Sequence, residues 1–123
     1  MTAAGLVISG VAGLGILVVG VCYLLVPRAM AATFGLPAVP PEDATPWLRL
    51  KGVRDLTTGV VAGVLLLTAT PTVIGWVLLT FTLIPLGDAA TIIRSAGDVR
   101  VAWTVHGATA ALMLIGAALL LVG

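Results

Sequence analysis

The stretch Leu56–Gly87, "LTTGVVAGVLLLTATPTVIGWVLLTFTLIPLG", runs for 32 residues without a charge. A helix crosses the roughly 30 Å hydrocarbon core of a bilayer with about 20 apolar residues. The stretch is therefore long enough for a span and a half. Pro71, between Thr70 and Thr72, is the natural break, because proline removes a backbone donor and clashes with the preceding turn. The segment holds the end of one helix and most of the next.

The rest of the 123-residue chain follows suit: 60% of its residues are hydrophobic and 9% charged. Soluble domains carry roughly 25% charged residues, so this composition cannot cover a soluble surface. Four helices are predicted, at about 4–26, 47–68, 73–93 and 101–122. The fold class is all-α: an antiparallel up-down four-transmembrane-helix bundle in a single domain, 1–123, with a longer loop between the first two helices. The segment "MTAAGLVISGVAGLGILVVGVCYLLVP" has no basic n-region, and its apolar run is too long for a signal peptide, so it is expected to be a retained span.

Charge placement orients the bundle. Arg28, Arg49, Lys51 and Arg54 flank the first loop, and Arg94 and Arg100 flank the third. The "TATPT" turn and both ends carry no Lys or Arg. The positive-inside rule places the basic loops in the cytoplasm. A multi-pass protein of the cell (inner) membrane follows, with both termini outside. In the first loop, "PRAMAATFGLP" starts on Pro27, allowed at the first helical position, and ends on Gly35 and Pro37. It is expected to form a short interfacial helix. Glu42 and Asp43 suit the start of the next helix. Trp47, Trp76 and Trp103 are placed as interfacial anchors.

Small residues mark the faces on which membrane helices associate. Gly5, Ser9 and Gly13 with Ala12 and Gly20, Gly59 with Gly63, and Gly107 with Ala111 are the candidate faces. They serve contacts within one chain or between copies in a homo-oligomer.

The informative residues are the ionisable ones inside the spans, where a charge costs roughly 2.5–3.5 kcal/mol at mid-membrane on insertion scales. Asp55 lies six residues past Arg49, Asp88 six before Arg94, and His106 six past Arg100. At about 1.5 Å per residue, each is roughly 9 Å inside its marker arginine. Tyr23 reaches the same layer from the first helix. Arg54, Asp55, Asp88 and His106 form a candidate acid–base set. Tyr23, Lys51 and Trp103 are candidate substrate contacts. Asp88 follows "IPLG", where Pro85 frees the Phe81 carbonyl and kinks the helix. Each residue also has a structural reading: Lys51 and Asp55 are spaced for an i, i+4 pair, Asp88 could bridge to Arg54, and His106 could be a core histidine held by either carboxylate.

The function read from this layer is a polar pocket at the cytoplasmic leaflet that binds a small lipophilic molecule, or acts on it as an acid–base isomerase, cyclase or hydratase. Two other classes fit the size: a small transporter working as a dimer, and a non-catalytic accessory or scaffold protein. Small multidrug exporters have this length and helix number, but they rely on a glutamate in the first helix, which here has no acid. Cys22 is the single cysteine, so no disulfide or cysteine metal cluster is expected. No P-loop, GxGxxG, HExxH or CxxC occurs, and no cofactor, metal or nucleic-acid partner is expected.

"FGLP" (Phe34–Pro37) followed by "KGVRDLTTG" (Lys51–Gly59), with "GD" in the third helix and a histidine in the fourth, resembles a family of uncharacterised small four-helix membrane proteins grouped with DoxX-like proteins. The resemblance spans the whole chain and implies a four-helix membrane fold without an established activity. Some DoxX-like relatives are linked to quinone or sulfur redox chemistry, for which this sequence has no matching residues.

Overall fold

A computed structural model describes all residues, Met1–Gly123. It is all-helical, without strands. The elements are α1 (Thr2–Leu25), α2 (Pro27–Thr33), α3 (Thr45–Thr68), α4 (Pro71–Phe81), α5 (Leu83–Arg94), the short α6 (Val99–Val101), a π-helical turn over Ala102–Gly107, and α7 (Ala108–Val122). Prolines open α2, α3 and α4 within their first two positions, where a missing N–H costs nothing. Thr70 caps α4 by accepting from the Val73 N–H at 3.4 Å. Asp98 caps α6 in the same way, its Oδ1 accepting from the Arg100 and Val101 N–H groups.

Three helical segments are long and apolar enough to cross a membrane: Thr2–Leu25, Pro71–Arg94 and Val99–Val122. The first 11 residues of α3 contain Arg49, Lys51, Arg54 and Asp55. Packing follows an inside-out pattern. Only 23 of 123 residues are buried, and the large apolar side chains Val7, Val11, Leu14 and Val18 form an exposed stripe on α1. On the opposite face of α1, Gly5, Ser9, Gly13 and Gly20 are buried. This arrangement suits a membrane protein, in which lipid covers apolar side chains and small residues bring helices together.

The tightest seam joins α1 to α3. A side chain at Gly20 would meet the backbone of Leu56 and Gly52, and one at Gly59 would meet Leu17. Elsewhere Gly116 of α7 sits against Ile8 and Leu78, and Gly75 of α4 against Leu120 and Leu121. Two predicted contact residues do not serve: Gly63 has nothing near it, and Gly107 faces only Trp103 and Ala102 of its own turn. The last helix buries its small residues further along, at Ala110, Gly116 and Ala117, three to ten residues past Gly107. The π turn explains the shift. It holds more residues per turn than an α-helix, so a face drawn with a 3.6-residue period slips across it.

The segment Pro71–Arg94 is interrupted at Thr82, three residues before Pro85. The Thr82 hydroxyl is buried and donates to the Leu78 carbonyl at 3.0 Å. An apolar cluster of Ile74, Leu78, Met113, Ala117 and Leu120 closes one end of the molecule. At the other end the "FGLP" segment docks on the turn after α5. Gly35 has φ +103°, a conformation open to glycine, and its carbonyl accepts from the Asp98 N–H at 2.7 Å.

Candidate functional site

A cavity of about 450 Å³ runs between the helices. Its body is apolar, with Ile16, Val19, Leu65, Leu78, Phe81 and Met113 among its walls. Its polar end holds Tyr23, Lys51, Asp88 and His106, beside Phe34. Small-molecule sites have this size and this mixture of apolar wall and few polar groups.

Local sequence explains each position. Gly52 and Gly59 face α1 because α1 presses directly on both. Asp55 lies three residues from Gly52 and four from Gly59, so it shares their face and is buried at 8% exposure. Arg54 lies two residues from Gly52, roughly 200° around the helix, and is exposed. It contacts no carboxylate and does not line the cavity. The alternative offered for Asp88, a bridge to Arg54, does not form. Lys51, one turn before Asp55, reaches inward in its place. Its Nζ donates to Asp55 Oδ2 at 2.5 Å and sits 4.6 Å from the Tyr23 ring centroid and 5.4 Å from that of Phe34. Both distances are within cation–π range. Asp55 itself does not line the cavity, being turned onto Lys51. Trp103 is 63% exposed and outside the cavity. As an exposed residue of the π turn it is directed to the surroundings of the protein, so it cannot contact a substrate in the cavity.

Asp88 comes from α5, past Pro85, and His106 from the π turn. Turns of this kind are frequent at functional sites. His106 Nδ1 lies 3.5 Å from Asp88 Oδ2. Its Nε2 lies 3.3 Å from the Phe34 carbonyl oxygen. A carbonyl can only accept, so Nε2 carries a hydrogen. The other ring nitrogen, Nδ1, faces the Asp88 carboxyl across 3.5 Å, beyond the roughly 2.7–3.2 Å of an ordinary hydrogen bond. The Phe34 ring packs on the imidazole, with centroids 4.8 Å apart at 54°. Phe34 thus touches both polar pairs, and nothing in composition or spacing marked it as a site residue. Its place in the "FGLP" segment was the available signal.

Of the residues singled out from sequence, Tyr23, Lys51, Asp88 and His106 meet at the cavity, Asp55 sits behind Lys51, and Arg54 and Trp103 lie outside. No group of three or more His, Cys, Asp or Glu side chains is arranged to hold a metal ion.

A family model, described as a domain of unknown function (DUF4267), matches residues 13–120. The chain belongs to this family. The match takes in the α1–α3 seam, the "FGLP" segment and every residue at the polar end of the cavity. No curated protein and no solved structure matches the chain.

Proposed function

We propose that this DUF4267 protein is a four-span membrane protein whose cavity binds a small lipophilic molecule and subjects it to acid–base chemistry at Asp88 and His106. The supporting observation is the asymmetry of the cavity: an apolar body ending on a histidine and a carboxylate 3.5 Å apart. A pair of this kind can give a proton to one atom of a ligand and take one from another, as isomerisation, cyclisation or hydration requires. In this reading α3 is the fourth span, its charged first half entering from the cytoplasmic surface. The basic loops are cytoplasmic, both termini lie outside, and the polar end sits under the inner leaflet headgroups. A membrane-dissolved ligand then reaches Asp88 without leaving lipid. Kinship with DoxX-like proteins enters this proposal for the fold alone.

The test compares lipid extracts of cells overproducing the wild-type chain, Asp88→Asn and His106→Gln. The wild type is expected to deplete one lipophilic species and accumulate an isomer or hydrate of it. Each variant should slow that conversion by about 10²–10⁴-fold, the usual weight of general acid–base catalysis. Identical extracts for all three chains, with no lipid retained on purification, would exclude the proposal.

A further inference from the structure

We infer that the cavity's ligand is an uncharged, single-chain amphiphile whose oxygen-bearing head accepts a hydrogen bond from Tyr23. The inference rests on the reading of the cavity as a ligand site and specifies what that site takes.

Charge comes first. Lys51 and Asp55 neutralise each other across 2.5 Å. Asp88 Oδ2 faces His106 Nδ1 at 3.5 Å, so each is the other's nearest partner in the cavity wall. Arg54 faces away, and Arg28 is paired with Glu42 at 3.4 Å. Lys51 is the one Lys or Arg lining the cavity, and it is closed on Asp55, so no free cation of the wall is left to hold a phosphate or carboxylate. The one lining carboxylate, Asp88, is turned to His106 rather than left to an ammonium group. A charged head would lose its hydration without compensation, which is costly in a low-dielectric site.

The hydroxyl groups narrow the choice further. Ser9, Thr33, Thr58 and Thr109 all line the cavity. Each donates to a carbonyl of its own helix: Ser9 to Gly5, Thr33 to Met30, Thr58 to Arg54 and Thr109 to Val105. Their protons are committed. Tyr23 differs. The residue is 2% exposed, yet its hydroxyl donates to no group of the protein. No sealed polar side-chain atom in the molecule lacks a partner, so the Tyr23 hydroxyl opens to the cavity. It is a free donor beside Asp88, which supplies an acceptor. An alcohol or a carbonyl satisfies this arrangement.

Shape gives the rest. The cavity extends along α1 from Ser9 to Tyr23, 14 residues and so about 21 Å. That is more than half the hydrocarbon thickness of roughly 30 Å. An acyl or isoprenoid chain lying along the membrane normal fits this run, with its head at Tyr23.

The experiment is native mass spectrometry of the detergent-purified full chain with four probes of equal length: hexadecanol, palmitate, hexadecylammonium and hexadecane. Hexadecanol is expected to bind about tenfold or more tighter than each of the others. Tyr23→Phe, which keeps the ring under Lys51, should lower hexadecanol affinity about tenfold, the usual weight of one buried hydrogen bond, and leave hexadecane unchanged. The head-group ranking of the wild type is a test in itself if the variant is poorly folded. Equal or tighter binding of palmitate or hexadecylammonium would overturn the inference while leaving the cavity a ligand site. Failure of all four probes to bind would overturn the ligand site as well.

Discussion

The molecule places two carboxylates, each facing a basic side chain, near the polar end of the cavity and builds the pairs differently. Lys51 and Asp55 lie on one helix, an i, i+4 pair closed to 2.5 Å. Asp55 is wedged by glycines against α1, and the ammonium group of Lys51 is held over two aromatic rings. Asp88 and His106 come from different segments and approach only to 3.5 Å. That exceeds the usual 2.7–3.2 Å hydrogen-bond range, and both side chains border the cavity. The first pair has satisfied its chemistry internally. The second has room for a third party. Ionisable residues of one layer can thus be built differently, one pair closed on itself and the other open to the cavity.

The largest effect should come from breaking the closed pair on one side. Lys51→Met leaves the Asp55 carboxylate unpaired with its side chain 11% exposed, and removing one partner of a buried pair costs about 3–5 kcal/mol. Thermal unfolding in detergent should show it as a large fall in melting temperature. The double variant Lys51→Met/Asp55→Leu should recover most of the loss, since apolar replacement of a whole buried pair is often neutral. A single variant as stable as the wild type would remove the structural role assigned to this pair.

Next come the glycines beside each acid. A Cβ at Gly59 would lie 2.5 Å from the Leu17 side chain and 2.8 Å from its backbone, whereas one at Gly87, beside Asp88, meets nothing within 4 Å. Gly59→Ala should destabilise by about 1–3 kcal/mol through overpacking. Gly87→Ala should be neutral or gain up to about 1 kcal/mol in helix propensity. Equal penalties from the two would mean that the α1–α3 seam is no tighter than the surroundings of Asp88.

The open pair should matter little to folding. Asp88→Asn keeps the shape and a hydrogen-bonding oxygen toward His106, so its stability cost should stay within about 1.5 kcal/mol, the net value of one ordinary hydrogen bond. Unfolding of this variant, measured beside Lys51→Met, compares the two pairs directly. A loss as large as that of Lys51→Met would make Asp88 a structural residue too.

Much of this was legible in sequence because membrane helices write their boundaries in charge and proline. The break at Pro71, the helix beginning at Pro27 and the interruption near Pro85 all follow from a missing N–H. The layer holding Tyr23, Asp88 and His106 follows from counting residues inward from Arg28, Arg94 and Arg100. What failed was rotation about the helix axis. Depth alone put Arg54 in the acid–base set, and left Lys51 either a substrate contact or a helix-surface partner of Asp55. The glycines at positions 52 and 59 carry the rotational information, because α1 can approach so closely only on their face. The π turn had no local signal in "AWTVHG", so the faces of Trp103 and Gly107 could not be assigned. The part played by Phe34 depends on a tertiary contact between a loop and a distant turn.

Arg54→Gln gives the smallest expected effect and bears directly on that rotation. Arg54 is exposed, pairs with no carboxylate and lies outside the cavity wall. Its neutral replacement should change detergent stability by no more than about 0.5 kcal/mol, as for surface substitutions away from special contacts. Its hexadecanol affinity should match the wild type. Lys51, three residues earlier on the same helix, should behave in the opposite way, because its amine is fixed by Asp55 and by the rings of Tyr23 and Phe34. If Arg54→Gln instead weakens binding while Lys51→Met does not, α3 is rotated relative to α1 from the arrangement described. Gly52 and Gly59 would then no longer face α1, and the inward direction of Asp55 would lose its physical basis.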